Sequence, residues 1–110
     1  YGGILYFIDA ERAQNRKLEG DMKLWWVHVE AMVGALRAYV LTRREAFWEW
    51  FERIFAWSWS HFRDPRRGEW FGYLHRDGSL ALSLKGSMWK GCFHLPRALM
   101  QIEAILSELS

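Results

Sequence analysis

The sequence is poor in cysteine and in net charge, and it has no long uninterrupted apolar run. Its one cysteine excludes an internal disulfide and suits a reducing compartment, so we expect a cytoplasmic protein. A formal net charge of +2 is too small to indicate nucleic-acid binding. Charged residues interrupt each apolar stretch before it reaches the roughly 18 residues of a membrane span. We therefore expect neither nucleic acid nor membrane as a partner.

Motifs for metal and phosphate chemistry are also missing. The spacing of His28, His61 and His75 fits no zinc pattern, so we expect no metal site. The chain has no glycine-rich phosphate fingerprint and no serine-centred nucleophile elbow. These absences remove the commonest nucleotide-binding and hydrolase readings.

Aromatic residues, by contrast, are abundant, with eight tryptophans among 110 residues. Such density is typical of a large core, of a cleft that stacks on sugar rings, or of an interface. The length suits one domain with a core of its own. Because the chain begins at Tyr1 rather than Met, we expect it to be a piece of a longer protein.

The apolar pattern predicts a mainly α fold with three helices and short β insertions. Residues 23–41 predict a helix that is apolar nearly all round, as expected for burial on several sides. Thr42 and Glu45 form a capping box that opens a second helix, which runs to about Phe62. Pro96 begins the third helix. The short link at Thr42 favours an antiparallel pair of the first two helices.

Strand-like runs separate these helices. Residues 4–8 predict a buried strand, and a polar connection over residues 9–21 follows it. Residues 70–74 and 80–82 predict a β-hairpin, because Asp77–Gly78 is a turn signal.

The segment MWKGCFHLPR, residues 88–97, gathers reactive and charged side chains where the third helix begins. His94 precedes the helix, where unpaired N–H groups, the helix dipole, Lys90 and Arg97 all disfavour an imidazolium. A neutral histidine can accept a proton as a general base, although a capping or packed histidine fits the same spacing. Arg97 opposes the dipole, which indicates a ligand or carboxylate partner unless its side chain only extends to solvent.

Glu30 raises a similar question in the first helix. It lies on a polar stripe with Lys23 and Arg37, which is typical of a solvated face. In a helix otherwise apolar all round, the same stripe can instead face a polar cavity.

The aromatic residues near these groups have two readings. Trp25, Trp26 and Trp89 all fit stacking on a sugar ring, although for Trp25 core filling is the favoured reading. We expect His28 to pack on the apolar side of its helix, opposite Glu30. Cys92 fits a small buried hydrophobic residue.

Three segments resemble the C-terminal part of the N-acylglucosamine 2-epimerase family: KLWWVHVEAM at 23–32, EWFGYLHRDG at 69–78 and LSLKGSMWKGCFHLPRAL at 82–99. They occur in the family's order and span nearly the whole chain. The resemblance implies that residues 1–110 are a single incomplete domain, the C-terminal portion of an (α/α)6 barrel with the sugar in its central cavity.

The resemblance also implies an activity, the interconversion of N-acylglucosamine and N-acylmannosamine. Two histidines of the family transfer protons at C2 of the open-chain sugar. The resemblance places one of them on His94 and implies substrate contacts for Glu30, Arg97, Trp26 and Trp89. The second histidine would lie upstream of Tyr1, so we expect the isolated chain to be inactive.

Further expectations follow from the same resemblance. The partner is a small sugar, N-acetylglucosamine, N-acetylmannosamine or a related aldose, and no cofactor is required, with a nucleotide effector left open. The full-length protein is expected to be a homodimer. Departures from the family pattern, Val27 for a usual proline and Ser87–Met88 for a usual Gly-Pro, alter backbone stiffness beside the site.

A different class of function is compatible with the same residues. The exposed aromatic faces could belong to a carbohydrate-binding module or to a protein-interaction module, without catalysis. A second histidine motif in helical hairpins upstream would favour the enzyme over both.

Overall fold

The structure is a computed structural model that describes residues 1–11 and 17–110, so residues 12–16 of the predicted polar connection lie outside it. Its helices are α1 (Trp25–Thr42), α2 (Glu45–His61) and α3 (His94–Leu109), and Leu18–Asp21 forms a 3-10 turn. Strands β1 (Lys23–Leu24) and β2 (Tyr73–Leu74) pair antiparallel. The mainly α prediction is confirmed. Among these described residues, no helix is long and apolar enough to cross a membrane.

Helices α1 and α2 form the predicted antiparallel hairpin. The end of α1 meets the start of α2, with the Tyr39 and Trp48 rings 5.4 Å apart. The start of α1 meets the end of α2, where the His28 and Trp57 rings stack at 5.1 Å. Arg43 makes the sharp turn between them in the left-handed region, at φ 54°, and its N–H donates to the α1 carbonyl of Tyr39.

The predicted capping box is wrong, because α1 continues through Thr42. The Thr42 hydroxyl donates back to the Ala38 carbonyl at 2.7 Å and accepts the Arg44 N–H at 3.3 Å. Arg44 is the residue that precedes α2, and no side chain caps that helix. Thr42 therefore ends one helix instead of starting the next, while Phe62 terminates α2 as predicted.

The core forms because α1 packs against both α2 and α3, which explains why α1 is apolar nearly all round. Burying one large apolar side chain contributes about 1.5–3 kcal/mol, so this three-helix contact holds most of the fold. One face of α3 packs on the core, with Ile102 buried and Leu99, Ile105, Leu106 and Leu109 half-buried. The helical side chains buried there are Trp25, Val29, Met32, Val33, Leu36, Phe51, Ile54, Leu95, Ala98 and Ile102.

The predicted buried strand at residues 4–8 is wrong. Within the described residues 1–11 no strand forms, residues 4–7 are half-buried, and Ile8 is 83% exposed. The segment is instead held at two points: His28 Nε2 accepts the Ile4 N–H at 2.9 Å, and the Met22 carbonyl accepts the Tyr6 N–H at 3.0 Å. One side-chain acceptor and one backbone carbonyl are too few to form the ladder of backbone hydrogen bonds that defines a strand.

The predicted hairpin is only partly present. The turn is confirmed, since the His75 carbonyl accepts the Gly78 N–H and Gly78 adopts φ 92°. Beyond the turn, however, a single bridge joins Leu74 to Leu80, and Leu80 is 43% exposed. Strand β2 pairs with β1 instead, in the register Lys23↔Leu74, which ties the hairpin arm to the start of α1.

Candidate functional site

Three side chains meet where α1 packs on α3. Glu30 projects from the second turn of α1, while His94 and Arg97 belong to the first turn of α3. His94 Nδ1 lies 2.8 Å from Glu30 Oε1, and the Arg97 guanidinium donates to the same oxygen. About a third of each side chain is exposed, so the group is accessible. We call these residues the His94–Glu30–Arg97 triad.

The charge of Glu30 fixes the direction of these hydrogen bonds. Partial burial acts to raise the pKa of the Glu30 carboxyl, but the hydrogen bonds from Arg97 and His94 prevail and hold it below its usual value. The side chain is therefore an ionised carboxylate at neutral pH, which only accepts hydrogen bonds. His94 Nδ1 must then carry a hydrogen, and in the neutral ring the lone pair lies on Nε2.

A cavity of about 470 Å³ lies beside His94. The first residues of α1 form one wall, with the Trp26 ring 5.8 Å and the Trp25 ring 6.4 Å from the His94 ring. Trp89 from the loop before α3 and Tyr73 from β2 extend that wall. A largely aromatic hollow with a few polar groups is typical of a site for a small organic molecule.

The structure brings the five predicted site residues together. His94, Glu30 and Arg97 form the triad, and Trp26 and Trp89 line the cavity beside His94. The predicted carboxylate partner of Arg97 is thus present. Contact of any of these residues with a substrate remains a prediction. Within residues 1–11 and 17–110, no group of three or more His, Cys, Asp or Glu residues could hold a metal ion.

Three expectations about neighbouring residues need correction. Lys90 pairs with Glu69 and not with the His94 environment. The Lys23–Glu30–Arg37 stripe is not one face, because Lys23 lies in β1 and is 2% exposed whereas Arg37 is exposed. Cys92 is exposed and not buried, because it belongs to an open loop before α3.

Two packing predictions are confirmed. Trp25 is buried in the core, and its ring contacts Tyr73 at 5.5 Å. His28 is fully buried between Trp57 and Phe62. Both of its ring nitrogens are used, since Nδ1 donates to the Leu24 carbonyl and Nε2 accepts from Ile4.

Sequence reasoning missed six residues that line the cavity. Four of them come from the segment before β1, which the sequence predicts as a strand and an aperiodic polar connection. Neither pattern carries a signal for a cavity, because the segment owes its position to contacts with α1 and α2. The missed cavity residues are Tyr6, Phe7, Lys17, Glu19, Leu24 and Tyr73.

The chain is similar over nearly its whole length to one family of known proteins. The sequence profile of N-acylglucosamine 2-epimerase (GlcNAc 2-epimerase) matches residues 1–98. The chain belongs to the N-acylglucosamine 2-epimerase family. It is 47% identical to N-acylglucosamine 2-epimerase of Bos taurus over 109 residues, which cover 99% of this chain and 26% of that protein. The chain thus spans about a quarter of the length of this relative.

Solved structures of a sugar epimerase and a sugar isomerase share the fold of this chain over about a quarter of their length. Cellobiose 2-epimerase from Spirochaeta thermophila superposes with a TM-score of 0.71 at 34% identity, over 83% of this chain and 23% of that one. A D-mannose isomerase superposes with a TM-score of 0.80 at 22% identity, over 96% and 26%, which supports the fold alone. These neighbours are (α/α)6 barrels, so the fold class implied by the resemblance is confirmed.

Proposed function

We propose that the chain is part of a longer sugar 2-epimerase, in which His94 transfers a proton at C2 of an open-chain N-acylglucosamine or N-acylmannosamine. We call that longer protein the full-length protein. The observation that carries the proposal is the contact of His94 Nδ1 with the Glu30 carboxylate beside an aromatic cavity. Membership of the N-acylglucosamine 2-epimerase family supports the choice of substrate.

Proton transfer at C2 requires a base that removes the proton and a group that stabilises the enolate oxygen formed from the aldehyde. Glu30 holds the Nδ1–H of His94, which leaves the Nε2 lone pair to take the proton. As the C2–H bond breaks, its electron pair forms a C1=C2 double bond, and the π electrons of the aldehyde move to its oxygen, which becomes an enolate. His94 becomes an imidazolium, and the Glu30 carboxylate stabilises that charge, as an orienting carboxylate does for a base histidine elsewhere.

Arg97 supplies positive charge at the same junction. A cation in the first turn of a helix opposes the dipole by about 0.3–1 kcal/mol, and the ion pair with Glu30 offsets this cost. The guanidinium also orients Glu30, since it donates to the same carboxylate oxygen that accepts the Nδ1–H of His94. We assign Arg97 to the stabilisation of the enolate and of the Glu30 carboxylate.

The aromatic walls account for sugar binding. Tryptophan planes suit the C–H faces of a sugar, and Trp26 and Trp89 line the cavity from two different elements. Epimerisation also requires a proton donor on the opposite face of C2. We assign that group to the part of the full-length protein outside this chain, so the isolated chain is expected not to exchange the C2 proton.

The test is the substitution His94→Asn in the full-length protein, measured by deuterium incorporation at C2 in heavy water. We expect exchange and turnover to be lost while sugar affinity, measured by calorimetry, changes less than about threefold. His75→Asn is the matched control, because His75 lies exposed in the turn before Gly78. Retained exchange in His94→Asn would contradict the proposal. Sugar binding without exchange in the unsubstituted protein would favour the carbohydrate-binding alternative.

A further inference from the structure

Two lysines fasten the loop that carries Trp89, which we call the 85–90 loop. Lys85 Nζ lies 2.6 Å from Asp64 Oδ2 and donates to the Gly68 carbonyl at 2.7 Å. Lys90 Nζ lies 3.1 Å from Glu69 Oε1 and donates to the Lys85 carbonyl at 2.8 Å. Both ends of the 85–90 loop are therefore tied to the turn after α2.

Lysine is an unusual residue for an ion pair at this position, because the Lys90 side chain is only 4% exposed. Its stem packs on Gly72, where an added Cβ would lie 3.0 Å from Lys90 Cδ, and its amine lies 5.9 Å from the centre of the Trp25 ring. An apolar side chain would fill this space without the cost of removing an ammonium group from water. The buried amine therefore indicates a role beyond packing.

Glu69, which pairs with the Lys90 amine, is itself held in a defined conformation. Its backbone adopts φ 60°, a conformation that favours glycine, and its carboxylate also accepts the Trp70 N–H at 2.7 Å. Burial acts to raise the pKa of the Glu69 carboxyl, but the hydrogen bonds from Trp70 and Lys90 prevail and lower it. The carboxylate is thus charged and held in place where Lys90 reaches it.

The loop is also closed on itself beneath Trp89. Ser87 Oγ accepts the N–H groups of both Trp89 and Lys90, at 3.2 and 3.0 Å, and the Lys90 carbonyl accepts the Ser87 N–H. The Trp89 backbone is fixed, whereas its side chain is 77% exposed at the edge of the cavity. Loss of the Lys90 contacts would therefore loosen the backbone from which the indole projects.

We propose that Lys90 is a positioning residue, which holds the Trp89 indole over the cavity so that it is ready to stack on the sugar. The assignment rests on the proposed function of the site. Lys90 touches neither sugar nor proton in this scheme, and it acts through the 85–90 loop. Preorganisation of a binding side chain lowers the entropy lost on binding, so its loss weakens affinity more than chemistry.

The test is a double-mutant cycle in the full-length protein with Lys90→Met, which keeps the apolar stem, and Trp89→Ala. We expect each single variant to raise KM about tenfold, the worth of one good aromatic contact, while kcat changes less than about threefold. The double variant is expected to match Trp89→Ala alone, because a loose loop costs nothing once the indole is gone. A purely structural role would produce additive effects.

Lys23→Met is the matched control, because Lys23 is the other buried lysine and its amine faces the Trp57 ring, outside the cavity. We expect it to leave KM unchanged. If Lys90→Met does not fold, Glu69→Gln weakens the same tie and should give a smaller rise in KM. An unchanged KM in a folded Lys90 or Glu69 variant, or additive effects in the cycle, would overturn the inference. Loss of exchange in His94→Asn tests the proposed function separately.

Discussion

Glu30 Oε1 and His94 Nδ1 lie 2.8 Å apart although 64 residues separate them in the chain. The contact depends on the packing of α3 against α1, so the reactive group of the site is assembled by the core. Because Arg97 uses the same carboxylate oxygen, one acidic residue organises both basic residues. Substitution of Glu30 should therefore show whether this residue positions His94 and Arg97 or contacts the sugar itself.

We expect Glu30→Gln in the full-length protein to lower kcat about 100-fold or more, with a small change in KM, because a neutral amide no longer stabilises the imidazolium. Steady-state kinetics with N-acetylmannosamine measure both constants. Glu103→Gln, an exposed change on α3, is the control. A raised KM with unchanged kcat would instead make Glu30 a direct substrate contact.

Trp26 should matter to sugar binding, whereas an exposed tryptophan outside the cavity lining should not. We expect Trp26→Leu in the full-length protein to raise KM about tenfold through loss of an aromatic plane beside His94. Trp50→Leu serves as the control, because Trp50 is 53% exposed on α2, lies outside the cavity lining and pairs with Arg53. Equal KM values for the two variants would argue against stacking on Trp26.

The hydrogen bond from the Ile4 N–H to His28 Nε2 makes the attachment of the N-terminal segment depend on pH. Burial, assisted by the charge of Lys23, lowers the pKa of His28 from 6.5 to about 4, so between these values only the unfolded or opened chain binds the proton. Stability from His28 is complete above pH 6.5 and decreases as the pH falls toward 4. At pH 5 the loss, relative to the stability well above pH 6.5, is about 2 kcal/mol, or about 30-fold in protection of the Ile4 amide.

Amide hydrogen exchange at pH 7 and pH 5, corrected for the intrinsic rate, measures this loss at Ile4. The Phe71 amide, which donates to the Phe62 carbonyl at 2.8 Å, is the internal control. The variant His28→Gln should show weak protection of Ile4 at both pH values. Constant protection of Ile4 in the unsubstituted protein would show that the Ile4–His28 hydrogen bond does not hold the segment.

Two glycines should respond oppositely to alanine. At Gly72 an added Cβ would lie 3.0 Å from Lys90 and 3.3 Å from Trp25, so we expect Gly72→Ala to destabilise the isolated chain by about 1–3 kcal/mol. At Gly34 in α1 nothing lies within 4 Å, so Gly34→Ala should stabilise it by about 0.5–1 kcal/mol. Thermal unfolding followed by circular dichroism ranks the variants, and a Gly72→Ala chain at least as stable as the original would exclude this packing.

The helices were predictable from the sequence, because helical periodicity is a local property. The roles of the site residues stay predictions. The ends of the helices were less predictable. Thr42 fits the pattern of an N-cap for α2, but α1 continues through Thr42 and Arg43 makes the turn in the left-handed region. The same limit explains residues 4–8, whose apolar composition suits a strand while their available partner is the His28 ring. Local pattern cannot report which tertiary partner a segment finds.

Charge partners were the least predictable feature of the site. The sequence places Lys90 four residues before His94, but the lysine turns to Glu69, which is 21 positions away. The Glu30 stripe divides for the same reason, because β1 pairing draws Lys23 into the interior. Ion pairs depend on the fold that brings distant residues together, so they follow from coordinates and not from spacing.

The 85–90 loop joins a rigid base to an unconstrained tip. Met88 is 88% exposed, beside a tryptophan whose backbone is tied down and directly after the serine that ties it. Side chains at position 88 can therefore be exchanged with little effect on folding, although the next residue, Trp89, lines the cavity. The chain thus offers a site for attaching a spectroscopic label one residue away from the cavity without disturbing the core.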